Sequence, residues 1–145
     1  MRHRQAGSKL GRNTHQRQAL FKQQASALIL NESTKTTLAK AKLLVRLMDK
    51  LITQAKKGTL ASRRRLLAFL NRRPAVNKLV DDIALRNKTR TSGFTKLTRL
   101  GVRRGDNAMI AQVELVDLPR VEEQQRVKAG KPQPKEVKKT KEKNQ

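Results

Sequence analysis

Few residues of this sequence are of the types that catalyse reactions. The clearest are the adjacent carboxylates Asp81 and Asp82 and the two histidines, His3 and His15. Paired carboxylates can hold a divalent metal for phosphodiester hydrolysis, and a histidine can act as a general base. The histidines have no acidic residue or cysteine nearby in sequence, so we expect them to make polar contacts or to be solvated. The two aspartates fall in a segment with a helical apolar pattern, so we expect surface salt bridges from them.

No known catalytic motif supplements these residues. The sequence has no phosphate-binding loop, dinucleotide-binding glycine motif, serine nucleophile elbow or HExxH zinc motif. It also has no cysteine, which excludes disulfides, thiolate metal sites and a cysteine nucleophile. We therefore expect a protein that is not an enzyme, with no catalytic residue, no metal site, no cofactor and no small-molecule substrate.

Anion binding is the chemistry that the sequence favours instead. Lys and Arg number 35 against 11 Asp and Glu, which gives a formal net charge of +24. The first acidic residue is Glu32, and six basic residues precede it. The start of the chain has almost no apolar residues, so it cannot pack a core, and its charge requires a polyanion such as nucleic acid. The only aromatic residues are three Phe, which disfavours a protein that stacks bases on aromatic rings.

Clusters of arginine identify the candidate contacts. Arg63, Arg64 and Arg65 are consecutive in a predicted helix, where they span about 200°, so at most two can meet one phosphate strand. Arg72 and Arg73 follow at a helix break. Arg103 and Arg104 lie between two glycines, where the backbone can approach an anion closely. The complete set of candidate nucleic-acid-binding residues is Arg2, His3, Arg4, Lys9, Arg12, Arg17, Lys22, Lys40, Lys42, Arg63, Arg64, Arg65, Arg72, Arg73, Arg90, Arg99, Arg103 and Arg104.

Composition divides the chain into three parts. Residues 1–13 form a basic arm that we expect to bind nucleic acid, and residues 14–116 carry all the helical and strand-like periodicity of a globular domain. Residues 117–145 are rich in Lys, Pro and Glu and have few large apolar residues, so we expect an extended or disordered tail. The first 116 residues hold 26 Lys and Arg and six Asp and Glu, so most of the positive charge belongs to the arm and the globular domain.

The apolar pattern predicts the elements of the globular domain. A helix capped by Asn13 or Thr14 runs to about Leu30, and residues 32–37 form a short strand or an extended turn. Three more helices follow: one capped by Thr36 or Thr37 and ending before Gly58, one from Thr59 to Leu70, and one opened by Pro74. Residues 86–93 are a basic loop. Residues 94–100 and 109–115 alternate as two strands of a long-looped hairpin. The order predicts a single α+β domain with a small mixed sheet packed on helices.

Several segments resemble the bacterial large-subunit ribosomal protein L17 family. They are the opening MRHRQAGSKLGR, the segment TTLAKAK at residues 36–42, DKLITQAK at 49–56 and LGVRRGD at 100–106. They occur in the family's order, and the likeness covers residues 1 to about 116. The family often has a proline after the glycine of the last motif, where this chain has Val102.

The resemblance implies a fold described as α-β-α(3)-β(2), which agrees with the order above. It implies a structural constituent of the large (50S) ribosomal subunit that binds and stabilises 23S ribosomal RNA through its phosphate backbone, near the exit side of the peptide tunnel. Neighbouring large-subunit ribosomal proteins are the other implied partners. The residues alone indicate an RNA or DNA scaffold protein, and the resemblance supplies RNA and the ribosome.

Two other classes of protein share some of these features. A DNA architectural protein would have the same charge, but should show a dimer interface or a minor-groove wedge, and neither is visible. A nuclease or RNA-modifying enzyme lacks a candidate active site. No segment is long and apolar enough for a membrane span, so we expect a cytoplasmic protein with no membrane partner. The resemblance implies that it is located on the large ribosomal subunit.

Overall fold

The structure is a computed structural model that describes residues 8–116. The candidate residues Arg2, His3 and Arg4 and the tail 117–145 lie outside the described residues. The described chain forms helix α1 (Thr14–Asn31), strand β1 (Ser33–Thr37), helices α2 (Leu38–Ala55), α3 (Leu60–Leu70) and α4 (Arg73–Lys78), a π-helical turn (Leu79–Ile83), helix α5 (Ala84–Arg86), and strands β2 (Thr95–Val102) and β3 (Met109–Leu115). Helix α4, the π-helical turn and α5 follow one another without a break and together correspond to the fourth predicted helix. The predicted α+β order of elements is therefore confirmed.

Local capping chemistry explains where α1 and α3 begin. The Asn13 side chain accepts a hydrogen bond from the backbone N–H of Gln16 at 2.8 Å, and the Gln16 side chain accepts one from the backbone N–H of Asn13, which completes a capping box. The Thr59 hydroxyl caps α3 by accepting from the N–H of Ser62. Thr37 occupies the cap position of α2 without a side-chain bond. The predicted starts of these three helices are therefore confirmed.

The fourth predicted helix is interrupted. It begins at Arg73, with Pro74 in its first turn as expected. Residues 79–83 then widen into one π-helical turn, and three α-helical residues end the segment at Arg86. Val76, Leu79 and Ile83 remain buried through this change. The π-helical turn was not predicted, because the apolar spacing of this segment fits an ordinary α-helix equally well.

The sheet is antiparallel throughout, and the expectation of a mixed sheet was wrong. The strand order is β1-β3-β2, with Ser33 opposite Glu114 on one side of β3 and Leu97 opposite Val113 on the other. Strand β1 runs in the same direction as β2, so a position beside β2 would have created a parallel pair. Strand β1 pairs instead with β3, which is the central strand. The pattern of apolar residues does not determine which of the two strands β1 pairs with.

The hairpin is longer than its sequence pattern predicted. Strand β2 continues through Gly101 and Val102, so the connecting turn is confined to residues 103–108 and closed by a bond from Arg103 N–H to the Ala108 carbonyl at 2.9 Å. The register shifts between Arg99 and Gly101, which marks a β-bulge. Gly101 has a φ of 135°, which only glycine adopts without strain, and this lets the strand continue beyond the bulge.

One aliphatic core holds the helices against a single face of the sheet. Its most deeply buried members come from α1 to α4, the π-helical turn and β3, and the one aromatic side chain among them is Phe94, just before β2. Helix α2 contributes Ala41, Leu44, Met48, Ile52 and Ala55, the three-and-four spacing expected from the sequence. The core is thus mainly aliphatic, as the presence of only three aromatic residues in the sequence requires.

Glu32 ties the two ends of this domain together. It ends α1 with a φ of 61°, and its backbone carbonyl accepts a bond from Leu115 N–H at the end of β3. Its carboxylate forms ion pairs with Lys78 at 2.7 Å and with Arg86 at 3.2 Å. Arg86 also pairs with Asp82 at 2.8 Å. A half-buried acidic residue thus joins α1, the sheet and the segment from α4 to α5.

Neutralising Glu32 should weaken the fold in a pH-dependent way. Burial acts to raise the pKa of Glu32, but hydrogen bonds and charge from Lys78 and Arg86 outweigh it and lower the pKa below the ordinary 4.5. A carboxyl of this kind stabilises the fold above its unfolded pKa, and the contribution disappears as pH falls through the lower folded value. We expect Glu32→Gln to cost about 1–3 kcal/mol at pH 7 and to flatten the loss of stability below about pH 4.5.

Denaturant unfolding at a series of pH values would test this prediction. The matched control is Asp81→Asn, because Asp81 belongs to an ion pair whose side chains are 38% and 57% exposed. Such exposed pairs contribute at most about 1 kcal/mol. Equal losses of stability in the two variants would show that Glu32 has no special role in the fold.

Candidate nucleic-acid interface

The described residues that were considered for catalysis either form ion pairs within the domain or lie alone on the surface. Asp81 pairs with Arg63, and Asp82 pairs with Arg86, which confirms the predicted salt-bridge role. His15 is exposed in the first turn of α1. Within residues 8–116, no group of three or more histidine, cysteine or acidic residues could hold a metal ion. The helices in the same range include none that is long and apolar enough to cross a membrane.

Positive charge at the surface is the dominant property of the described chain. Residues 8–116 contain 24 Lys and Arg but only six acidic residues. Four of these acids are in ion pairs, namely Glu32, Asp81, Asp82 and Asp106. Asp49 accepts a bond from the N–H of Phe94, and Glu114 from the side chain of Gln112. The acidic residues are too few to compensate most of the basic ones, so a polyanionic partner would complete the charge balance.

The largest regular array of cations lies on α2, and only one of its members, Lys42, was among the candidates predicted from the sequence. We call it the α2 stripe; it consists of Lys42, Arg46, Lys50 and Lys57, all of them exposed. At 100° per residue the first three fall within about 80° of one another, centred opposite the buried face of the helix. The i, i+4, i+8 spacing of these basic residues is visible in the sequence, but it is less conspicuous than runs of consecutive arginines.

Two grooves flank the α2 stripe. One, of about 490 Å³, lies between α2 and α3 and is lined by Lys50, Lys57 and Arg65 together with polar residues such as Thr53 and Thr59. The other, of about 560 Å³, lies between the first half of α2, the end of the arm and the start of β3. It is lined by Ser8, Lys42, Arg46, Met109 and the apolar residues Leu38, Ala39 and Leu43. The members of the stripe thus line both grooves.

The run of three arginines in α3 divides as the helical geometry predicts. Arg63 turns toward the following helix, where it donates to Asp81 and to the Asn77 side chain at 3.1 Å. Arg64 is exposed, and Arg65 is exposed along the groove beside α2. Only Arg65 therefore joins the α2 stripe, while Arg63 has a structural role.

Hydrogen bonds from the Arg17 side chain hold the described end of the arm against α1. Lys9, Leu10, Gly11 and Arg12 form a tight turn, closed by a bond from Arg12 N–H to the Lys9 carbonyl at 3.1 Å, with positive φ at both central residues. The Arg17 guanidinium donates to the carbonyls of Lys9 at 3.5 Å and Arg12 at 3.3 Å. These bonds anchor residues 9–12 to α1.

The remaining candidates are scattered. Lys22 and Lys40 are half-buried, and Lys40 cannot join the α2 stripe because residues two apart on a helix do not share a face. Arg72 and Arg73 are exposed at the turn between α3 and α4. Arg90 is half-buried in the loop before β2, where it donates to the Gly93 carbonyl.

The hairpin tip contains a charge pair that was not predicted. Arg103 contacts the carboxylate of Asp106 with both Nε, at 3.1 Å, and Nη2, at 2.5 Å. These bonds, with a further one from the Ala108 N–H, lower the pKa of Asp106 to about 2, and the contact with Asp106 raises the pKa of Arg103. The guanidinium of Arg103 is therefore already bonded to Asp106. Arg99 and Arg104 are exposed.

The described chain is a small α+β domain with an exposed basic surface on α2. Comparison with known families agrees: the family model described as Ribosomal protein L17 matches residues 20–116. The chain belongs to the ribosomal protein L17 family. It is accordingly a structural constituent of the large ribosomal subunit, located on the ribosome, and its family is a structural rather than an enzymatic one.

Releasing Arg103 from its partner should strengthen RNA binding at the hairpin tip. Asp106→Asn removes the carboxylate but keeps the side-chain oxygen that accepts from Ala108. If the tip contacts RNA, the freed guanidinium adds one phosphate contact, so the slope of log affinity against log salt should steepen by about 1. Filter binding to large-subunit RNA across a salt series would measure it. Glu114→Gln is the control, since it adds the same charge without releasing an arginine; identical slopes for the two variants would exclude a direct contact by Arg103.

Proposed function

We propose that this protein binds and stabilises 23S ribosomal RNA through contacts with the phosphate backbone. The observation that carries the proposal is the exposed row of cations on α2, which has no acidic partner among residues 8–116. A folded chain with four basic residues for each acidic one repels itself, and RNA phosphates would relieve that repulsion while releasing counterions. Family membership supports ribosomal RNA as the polyanion.

The contacts we assign fall into three groups. The first is the α2 stripe with Arg65. The second is the hairpin tip with Arg99 and Arg104. The third is the arm of residues 1–13, whose anchored end places Lys9 in an exposed position. The half-buried cations Arg12, Arg17, Arg63 and Arg90 serve mainly to shape these surfaces.

The location within the subunit is part of the same proposal. We place the protein near the exit side of the peptide tunnel, beside neighbouring large-subunit ribosomal proteins. Chemical footprinting of 23S RNA in subunits assembled with and without the protein tests both partner and place. Protections clustered on RNA segments around the tunnel exit would support the proposal, and protections confined to another region would overturn the location.

Binding to large-subunit RNA should depend strongly on salt. The arm, the α2 stripe and the hairpin tip together can neutralise roughly six to ten phosphates, so affinity should fall by about 10³–10⁵ between 50 and 200 mM salt. Fluorescence anisotropy with a labelled RNA fragment over that range gives the slope directly. A nearly flat plot would contradict a mechanism based on phosphate contacts.

Removing the arm should impair assembly without unfolding the domain. Deletion of residues 2–12 leaves the Asn13 cap and the whole core in place, because the buried core residues begin at Ala25. We expect an unchanged circular dichroism spectrum and a reduced share of the protein in the large-subunit fraction of a sucrose gradient. A truncated chain that unfolds, or one that enters subunits as efficiently as the full chain, would refute this role of the arm.

A further inference from the structure

We infer that the α2 stripe is a docking surface for double-helical RNA, whose backbone it follows without reading base sequence. This inference rests on the proposed function and adds the structural class of RNA that this particular surface accepts. Three properties of the surface support it: the geometry of the stripe, the chemistry of its side chains, and the burial of the aromatic residues.

The stripe is a straight and rigid row of charges. Lys42, Arg46 and Lys50 lie on one face of an 18-residue helix, and Lys57 follows two residues after its end. At 1.5 Å per residue the row extends for about 20 Å. The buried face of α2 is packed into the core, so the helix cannot bend to follow an irregular strand. A regularly spaced row of phosphates, as on one strand of an A-form duplex, is the partner that suits it.

The stripe is also more than one side chain wide. Arg65 lies across the α2–α3 groove from Lys50 and Lys57, and Ser8 and Lys42 line the groove at the other end. Cations on two adjacent helices form a strip rather than a single line. Such a strip can follow a backbone and still contact the hydroxyl-bearing edge of the shallow groove beside it.

Side-chain chemistry at the stripe favours backbone over bases. Three of its four members are lysines, whose ammonium groups act as compact point charges. The major groove of an A-form RNA helix is too deep and narrow for side chains to read, so cations that meet such a helix contact mainly its phosphates and hydroxyls. Lysines that make no ion pair within residues 8–116 are suited to phosphates of any sequence.

The aromatic residues exclude the usual alternative, which is single-stranded RNA. Proteins that bind unpaired strands stack the bases on exposed aromatic rings. This sequence has no Trp or Tyr, and of its three Phe residues Phe94 is fully buried while Phe21 and Phe69 are half-buried and lie outside the stripe. Unpaired bases therefore find no aromatic stacking platform on this surface, whereas a duplex needs none.

A binding experiment with the full chain tests the inference. The probes are an RNA duplex of about 16 base pairs and an unpaired strand of equal length, titrated over a series of salt concentrations. The stripe variant is Lys42→Gln/Lys50→Gln/Lys57→Gln. The control is Lys35→Gln/Lys88→Gln/Lys96→Gln, which removes the same charge from exposed lysines on β1, β2 and the loop between α5 and β2.

We expect the unchanged chain to bind the duplex at least about tenfold more tightly than the unpaired strand, because stacking energy is lacking. The stripe variant should lower the salt slope for the duplex by about 3, because three phosphates would no longer be neutralised, while the control variant should change it by less than about 1. Thermal unfolding should be the same for both variants, because all six lysines are exposed.

Three results would overturn the inference. One is equal or tighter binding of the unpaired strand, and another is an equal reduction of the slope in the two variants. The third is competition by poly-glutamate as effective as competition by duplex at equal charge, which would indicate an acidic protein partner. Co-sedimentation of the unchanged chain with large subunits is measured in parallel. If it co-sediments while any of these results is obtained, the proposed function stands and only the duplex assignment fails.

Discussion

The carboxylate of Glu32 is the interaction on which the rest of the domain depends. A chain with so large an excess of basic residues can fold only if the cations that approach the interior are neutralised there. Lys78 and Arg86 come from a segment far along the chain, and both reach Glu32 at the junction of α1 and β1. The same residue holds the last strand through its backbone carbonyl. Without this acid, two half-buried cations would face each other across the end of the core.

The other acids also pair inside the domain and leave the outer surfaces basic. Asp82 supports Arg86, Asp81 holds Arg63 between α3 and the π-helical turn, and Asp49 fixes the backbone at Phe94. Lys56, just after the end of α2, donates to the Arg90 carbonyl and lies 5.6 Å from the centre of the Phe94 ring. These charges organise the loops, whereas the exposed residues of α2 are cations apart from Ala39 and Thr53. The basic residues that stabilise the fold are therefore different from those that we propose to bind RNA.

Most of the fold was predictable because the local signals of the sequence agree with one another. Asn13 and Thr59 cap their helices as predicted, and the apolar spacing of α2 identifies its buried face. The position of β1 beside β3 and the π-helical turn were not predictable, because each depends on long-range packing that local periodicity does not encode. For the interface, Arg64, Arg72 and Arg104 are exposed as expected. Arg63 and Arg103 are occupied by acids 18 and three residues away, and only the three-dimensional structure shows these pairs.

The π-helical turn has a consequence for how this chain can vary in length. A π-helical turn amounts to one residue inserted into an α-helix, so the residues after it are rotated by about 100° relative to an uninterrupted helix. That rotation sets the direction in which Arg86 leaves the helix toward Glu32. Removing a single residue from 79–83 would restore regular winding and turn Arg86 away from its carboxylate partner. A deletion in this segment is therefore harmful because it changes the direction in which the following side chains leave the helix, whichever residue is removed. The exposed turn at the hairpin tip has no such restriction.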